Sequence, residues 1–470
     1  MTGYSVLSTA VSGLTAAQRG MDITSQNIVN SNTPGYSRQI LKQSAVAPAL
    51  VASVHTGGNE TTVGGVTVES VVRVRDQFLE STRAQAGGAK AALDAQSTAM
   101  QGIETLVNEP SDSALQAKLT DFFGAWSSLS TKAGSEAAAA SGSNVIGQAK
   151  NVVSQLNTLA AGVSQQYQTQ LADLKTTVGQ INDYATQLAQ LNQQIVTSAA
   201  STGNGAPVNE LLDKRDQLVR SIAELSGGVA AIQTDGTATV AVGGATIVFG
   251  NQSLALSVAG GGAVSDVNGG NPPRIEIGGQ AVGVTSGKAA GLMSSLTADL
   301  PQFANQLDSI AAALRDSVNA LHATGFTATG APGGDFFTGS SALDLSVAVS
   351  GTDELALNSA AGVDGSVAQK LGDLVNDADA EAVLGGPGAL QQYRSLATSL
   401  GSKINGLKTA SDVQSSILSS ADQAIESNAG VNLDEEMTNL LQYQRAYQAA
   451  AKVISAIDEM MDTLINRTGI

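Results

Sequence analysis

Residues 4–39 read YSVLSTAVSGLTAAQRGMDITSQNIVNSNTPGYSRQ, and residues 431–465 read VNLDEEMTNLLQYQRAYQAAAKVISAIDEMMDTLI. In the first stretch Tyr4, Leu7, Val11, Leu14, Gln18, Met21, Ser25 and Ile28 recur at alternating steps of three and four. That spacing lays one mostly apolar seam along a helix, the pattern a helical partner requires. Leu433, Met437, Leu440, Gln444, Tyr447, Ala451, Ile454 and Met461 do the same near the other end. Two seamed helices at opposite ends of a chain have each other as the obvious partner. The expectation is that the ends meet and the middle is slung between them.

The first helix is expected from about Tyr4 to Asn30, weakened at Gly13 and Gly20 by up to about 1 kcal/mol each relative to Ala. A helix of this kind depends on packing for its stability. Asn30-Ser31-Asn32-Thr33-Pro34-Gly35-Tyr36 then ends it. Pro34 presets φ for the second position of a turn and Gly35 supplies the positive φ of the third, the signature of a type II turn.

At 470 residues the chain exceeds one core, and two to four domains are expected. Aromatic residues are only 3%, so the cores are expected to be built from Ala, Val, Leu and Ile, which suits long thin helices. Residues 39–75 lose the helical period; Val alternates with polar residues, and Gly pairs at 57–58 and 64–65 mark turns, so short strands or an extended arm are expected. Helix returns from about Gln77 through Phe78, Leu79, Ala86, Leu93, Met100 and Leu106, and Pro110 closes it. Ser111 or Asp112 is placed to cap the next helix, which carries Leu115, Leu119, Phe122, Phe123 and Trp126.

The strongest interior signal spans 144–197, where Val153, Leu156, Ala160, Val163, Tyr167, Leu171, Leu174, Val178, Ile181, Ala185 and Leu188 make a continuous seam between Gln-rich faces. A loop around Pro207 precedes an amphipathic helix, 209–228, stopped by Gly227-Gly228. Residues 229–287 change character: short Val, Ala and Ile runs alternate with DG, GG, GGG and NGGNPP, predicting several short antiparallel strands. Helix resumes over 289–322 with a kink or break near Pro301, then after a Gly-rich connector and the strand-like SALDLSVAVS, again over 363–376 and 387–428.

The fold class expected is mainly α with inserted β: terminal coiled-coil helices, an elongated helical-bundle domain and a small β-rich outer domain. The boundaries follow: 1–40 plus 430–470 for the terminal helical core, 41–228 plus 288–429 for the mainly helical domain with its short β arm, and 229–287 for the insertion.

Little in the chain promises chemistry. There is no cysteine, which removes disulfides and thiolate metal sites, and His55 and His322 are the two imidazoles. Both are expected at the surface. A formal net charge of −17 argues against nucleic acid or an anionic membrane as partner and fits a solvated surface equally well. No run of about 18 apolar residues is present, so no membrane span is expected, and the start lacks the marks of a cleaved secretory signal. VTSGKAAG at 284–291 resembles a phosphate loop at Gly287-Lys288, but Val282 and Ala289 stand where that loop needs Gly and a hydroxyl; a strand-to-helix turn is the better reading. SDVNGGN (265–271) and GTDELALNSAAGVDG (351–365) lack the spacing of a calcium loop and are expected to be turns. Asp434-Glu435-Glu436 open a helix, where acids offset the dipole. No catalytic, cofactor or metal residue is assigned; no cofactor is expected and the chain is not read as an enzyme.

SQNIVNSNTPGYSRQ behind an SGLTAAQ helix resembles the N-terminal motif of the bacterial flagellar axial proteins, the rod, hook and junction subunits. The C-terminal stretch is similar to that family's closing helix, including Gln444-Arg445-Ala446-Tyr447-Gln448-Ala449. LTDFFGAWSSLS, NELLDKRDQLVRSIAEL and LDSIAAALRDSVNALHATGF resemble the helical domain of its hook-filament junction members. Val29 departs from the family's usual Ala, and KAGSEAAAAS lacks an expected Pro and Arg. Rod and hook subunits turn β-rich soon after the N-terminal motif. The helical pattern over 77–225, with PGYSRQ, favours a junction subunit.

The resemblance implies a structural adaptor between hook and filament, exported unfolded without a cleaved signal and assembled outside the cell at the hook tip. It implies as partners other copies of the chain, the flagellar hook protein, the second junction protein and a cytoplasmic export chaperone on the C-terminal helix. The helical domain would form a tube wall and the insertion would face outward. The assembly interface expected comprises Leu7, Val11, Leu14, Met21, Ile28, Asn30, Thr33, Pro34, Gly35 and Tyr36 at one end, and Leu440, Gln444, Tyr447, Ile454 and Met461 at the other, with NTPGYSRQ as the elbow between core and wall. A rod or hook subunit is the alternative, and a secreted adhesin or enzyme with axial-type ends a remoter one.

Overall fold

The computed structural model describes residues 2–33, 35–46, 64–202, 206–359 and 362–463. Pro34, His55, the Gly57-Gly58 pair and residues 203–205 lie outside the described residues. The order opens with α1 (Thr2–Asn30), the hairpin strands β1 (Gln39–Val46) and β2 (Gly65–Arg73), α2 (Gln77–Val107), α3 (Leu115–Ser130), α4 (Ala138–Thr202) and α5 (Ala206–Ser226). Residues 229–287 hold β3 (Val229–Ile232), β4 (Ala238–Val242), β5 (Ala245–Phe249), β6 (Gln252–Ser253), β7 (Leu256–Ala259), α6 (Val264–Asn268), β8 (Arg274–Ile277) and β9 (Gln280–Ala281). Then come α7 (Gly287–Ser294), a π-helical turn (Ser295–Asp299), α8 (Leu300–His322), β10 (Phe337–Thr338), β11 (Ser346–Val347), α9 (Ser366–Asp373), α10 (Asp377–Leu384), α11 (Ala389–Ala429) and α12 (Leu433–Asp462).

The mainly helical class with inserted strands is as expected. The chain forms two compact units, one made of 1–87, 181–255 and 415–470, the other of 88–180 and 256–414.

In the first unit α1 runs against α12, so the two ends do meet. The face α1 buries is not the predicted seam. It is lined by Ala10, Ala16, Ala17, Gly20, Ile23, Thr24 and Asn27, centred about 120° round the helix from Leu7, Val11, Leu14 and Met21 at roughly 100° per residue. Small residues let the helices approach: a Cβ on Gly20 would lie 2.5 Å from the Tyr443 ring. β1 and β2 pair antiparallel with one irregularity at Lys42/Gln43, and Thr9 Oγ1 donates to Gly64 O at 2.6 Å, tying the arm back to α1. The sheet β3-β4-β5-β6 packs its Ala238, Val240, Val242 and Val248 inward, with the Asn192 amide of α4 bonded to Ala238 O and Gly250 O.

In the second unit α4 buries Val152, Leu156, Leu159, Val163, Tyr167, Leu171 and Leu174. The sequence seam is thus right at Leu156 and from Val163 onward, and one place off at Val153 and Ala160, which are half-buried beside buried Val152 and Leu159. The sheet β7-β8-β9 and α6 belong to this unit, with Tyr167 Oη donating to Gly261 O at 3.0 Å. The scarce aromatics are pooled rather than spread. Phe122, Phe123 and Trp126 of α3 meet Phe336 and Phe337, with ring centroids 4.8–6.4 Å apart, so this core is not purely aliphatic.

Several local expectations are corrected. α3 is capped by neither Ser111 nor Asp112: its N-cap is Ala114, and Ser111 instead closes a turn by accepting from Ser113 N. Pro207 lies in the first turn of α5, where its missing N–H costs nothing, not in a loop. Pro301 does not break the helix; the ladder widens into a π turn just before it, which accommodates the residue that cannot donate. Phe78 is exposed, and α10, whose Asp377, Asp379 and Glu381 blur its apolar pattern, was not foreseen. His322 is buried at 1% exposure, contrary to its expected surface position.

Candidate assembly interface at the elbow

The site is the junction where α1 ends, the chain turns and α12 begins. Tyr36 N donates to Thr33 O at 3.1 Å and Gly35 has φ +84°, which is the turn the sequence announced. Without a Cβ, glycine takes that conformation at no steric cost. Asn30 and Thr33 brace the helix end through Asn30 Nδ2 to Gln26 O and Thr33 Oγ1 to Asn30 Oδ1.

Beneath the turn sits Asn27, 1% exposed, with its whole hydrogen-bonding capacity used. Its Oδ1 accepts from Tyr36 Oη at 2.8 Å and Gln39 N at 3.0 Å; its Nδ2 donates to Gln39 O at 2.9 Å and Glu436 Oε2 at 3.1 Å. Glu436 is therefore more than a dipole-offsetting acid. It is 2% exposed and also takes Arg38 Nε at 2.8 Å, while Arg38 reaches Glu435 at 3.1 Å. Asn432 caps α12 by accepting from Asp434 N and Glu435 N. Burial pushes the Tyr36 phenol up to about 12, and the carboxylates of Asp213 and Glu436 add to this, so it stays a neutral donor to Asn27.

A second ring of charge fastens the arm to α5. Ser37 Oγ donates to Asp213 at 2.9 Å, and Arg73 bridges Asp213 (2.7 Å) and Asp216 (2.8 Å). Arg75 pairs with both Asp216 and Glu80, and Arg220 holds Glu80 from the other side at 2.6 Å. Burial alone would raise Asp216; the guanidiniums of Arg215, Arg75 and Arg73 overcome it and hold the carboxyl below its usual range. Asn209 donates to Gln39 Oε1 and Val71 O.

The predicted interface residues divide by face. Val11, Thr33, Gly35, Gln444, Tyr447 and Met461 are exposed, while Leu7, Leu14, Met21, Ile28, Asn30, Tyr36, Leu440 and Ile454 are half-buried. The structure thus brings the two end helices together through the small-residue face of α1 and leaves part of each predicted seam open, with Leu433, Met437 and Leu441 exposed on α12. Sequence reasoning missed Asn27, Asp213, Asp216 and Arg73 as elbow residues. A signal was present in part: Arg73 and Arg75 are two apart, hence on one face of an extended chain, and Asp213 and Asp216 are three apart on a helix. Among the described residues no cluster of three or more metal-ligating side chains occurs, and no helix is long and apolar enough to cross a membrane.

Known proteins bear on this geometry at three places. Residues 7–36 match the "Flagella basal body rod protein" family and residues 421–467 the "Flagellar basal body rod FlgEFG protein C-terminal" family. The class is therefore that of chains with flagellar axial ends. Between them, residues 100–337 match the "Flagellar hook-associated protein FlgK helical domain". Flagellar hook-associated protein 1 of Bacillus subtilis is 30% identical over 99% of this chain and 98% of its own length, and that of Escherichia coli 27% over 98% and 99%. The chain belongs to the flagellar hook-associated protein 1 (FlgK) family. A solved structure, the flagellar hook junction protein FlgK from Burkholderia pseudomallei, shares the fold with a TM-score of 0.63 at 16% identity, over 74% of this chain and 99% of that one.

Proposed function

We infer that this chain is a structural adaptor of the flagellar hook-filament junction, built into the axial assembly through its paired ends. The carrying observation is family membership over nearly the whole length, joined to an end pair whose apolar seams stay open along one side. Open seams on a latched helix pair suit completion by neighbouring copies, by hook protein and by the second junction protein. The expected interface residues at both ends then act as packing positions, and the elbow, latched by Asn27 and Glu436, sets the direction in which the remaining chain leaves the axial core. The residues of 41–228 and 288–429 would form the wall around it, and 229–287 would face outward. Export unfolded, without a cleaved signal and with a cytoplasmic chaperone on the C-terminal helix, belongs to the same reading.

The rod-type matches at the two ends favour a rod or hook subunit as the second reading; the hook-associated helical domain between them favours the junction. Deletion separates the two. A junction adaptor leaves hooks without filaments and flagellin in the medium, whereas loss of hooks identifies a rod or hook subunit and normal filaments refute both. Complementing the deletion with Val11→Asp/Met437→Asp tests the seams: the variant is expected to be made and folded but to leave hooks bare.

A further inference from the structure

One imidazole touches the strap that follows α8, residues 323–359, at two separate points. His322 Nδ1 lies 2.7 Å from Gly334 O and Nε2 lies 2.9 Å from Ala356 N. A carbonyl only accepts and an amide N–H only donates, so Nδ1 carries the proton and Nε2 is a bare acceptor: the Gly334 contact persists in either charge state, whereas the Ala356 contact requires the neutral ring. The two partners come from distant parts of the strap, brought together where Gly333 passes so close that a Cβ there would meet His322 O at 2.1 Å and Ala356 Cβ at 2.6 Å. Trp126 and Phe336 wall the ring edge-on, with centroids at 6.2 and 5.7 Å.

We propose that His322 is an acid-operated latch: a proton taken up on Nε2 sets donor against donor at Ala356 N–H and frees the 353–359 segment from α8. The proton comes from solvent and no other bond changes. The surroundings offer the charged ring little compensation. α3 presents Trp126, the strap presents Phe336 and the Gly334 carbonyl, and the opposite segment presents Ala356. Asp335 is the charged group among the described residues that acts on the ring. Burial holds the imidazole below its ordinary range, with the Gly334 bond and the Asp335 charge pulling the other way. The latch therefore stays closed at neutral pH and opens as pH falls below the ordinary imidazole value of about 6.5. Elsewhere the strap is tied by the Asn319 amide on Phe336 and Phe337, by Arg315 on the Gly339 carbonyl and by the Asp308 carboxylate on Ala342 N, and none of these touches the imidazole, so release is local.

The test uses the full chain carrying His55→Gln, which leaves His322 as the one imidazole. Its ring resonances are followed by NMR from pH 8 to 4, and amide exchange of 353–359 by mass spectrometry over the same range. The expected result is one shared midpoint below about 6.5, with protection of 353–359 falling at least tenfold beyond the intrinsic pH effect. His322→Gln should abolish that dependence. Asp335→Asn, an exposed change that cannot compromise folding through the core, should move both midpoints to lower pH together. Unchanged protection across the ring's titration overturns the proposal, as does a pH dependence that persists in His322→Gln. If His322→Gln fails to fold, Asp335→Asn decides: midpoints that do not move refute the latch.

Discussion

Replacing Gly20 by Ala tests whether the two ends are paired within one chain. In an isolated helix this change stabilises by up to about 1 kcal/mol, because Gly loses the most backbone entropy in a helix interior. In the pair, the new methyl carbon falls 2.5 Å from Tyr443 Cδ1 and Cε1 and 2.6 Å from Cζ, so the ring must move. Overpacking of this kind costs about 1–3 kcal/mol, and Tyr443 is half-buried and able to swing, which places the cost toward the lower end. The net effect of Gly20→Ala is then a destabilisation of about 0–1 kcal/mol. In a Tyr443→Ala background the obstacle is gone and the same change should stabilise, by up to about 1 kcal/mol. The sign reversal is the prediction, a coupling of about 1–2 kcal/mol across the double-mutant cycle. Amide exchange of peptides from α1 and α12 reads the local opening free energy directly. Equal effects of Gly20→Ala in both backgrounds, whatever their sign, would show that these faces do not meet and would refute the pairing.

The elbow offers another test: Glu436→Ala should destabilise the α12 start by about 2–3 kcal/mol, since it strips a buried charge partner from Arg38 and an acceptor from Asn27, with Glu435 and solvent offsetting part of the loss at Arg38. Glu436→Gln should cost less, and exchange at Gln39 and along the first turn of α12 measures both. The Arg73–Asp216 ring predicts an acid limb. Because the folded carboxyl of Asp216 lies below its unfolded value, its stabilisation is present above about pH 4 and is lost as pH falls through the folded value. Thermal unfolding followed by circular dichroism from pH 7 to 2 should steepen below 4, and Asp216→Asn should flatten that limb; an unchanged profile would contradict the assignment.

By itself the sequence determined the long helical segments, though not α10, and the turn that ends α1. The Pro-Gly pair after Asn30 and the three-four repeats on both sides of the chain are local features, set by backbone sterics and by side-chain spacing within a few residues. They announced α1, α12 and the Gly35 turn, as the Gly clusters announced the short strands of 229–287. Tertiary structure alone decided which face of α1 is spent inside the chain. On α1 the large apolar side chains drew attention to one face, whereas close helix packing selected the Ala and Gly face beside it, since a short interaxial distance leaves no room for Leu or Met there. The same reason hid the polar residues. Asn27, Glu436, Asp213 and His322 look like surface groups in one dimension, because what permits their burial is a partner tens or hundreds of residues away: Glu436 for Asn27, Arg73 for Asp213, Ala356 for His322. A periodicity records what one element wants to bury; whether a buried amide, carboxylate or imidazole is satisfied depends on elements that only folding brings together.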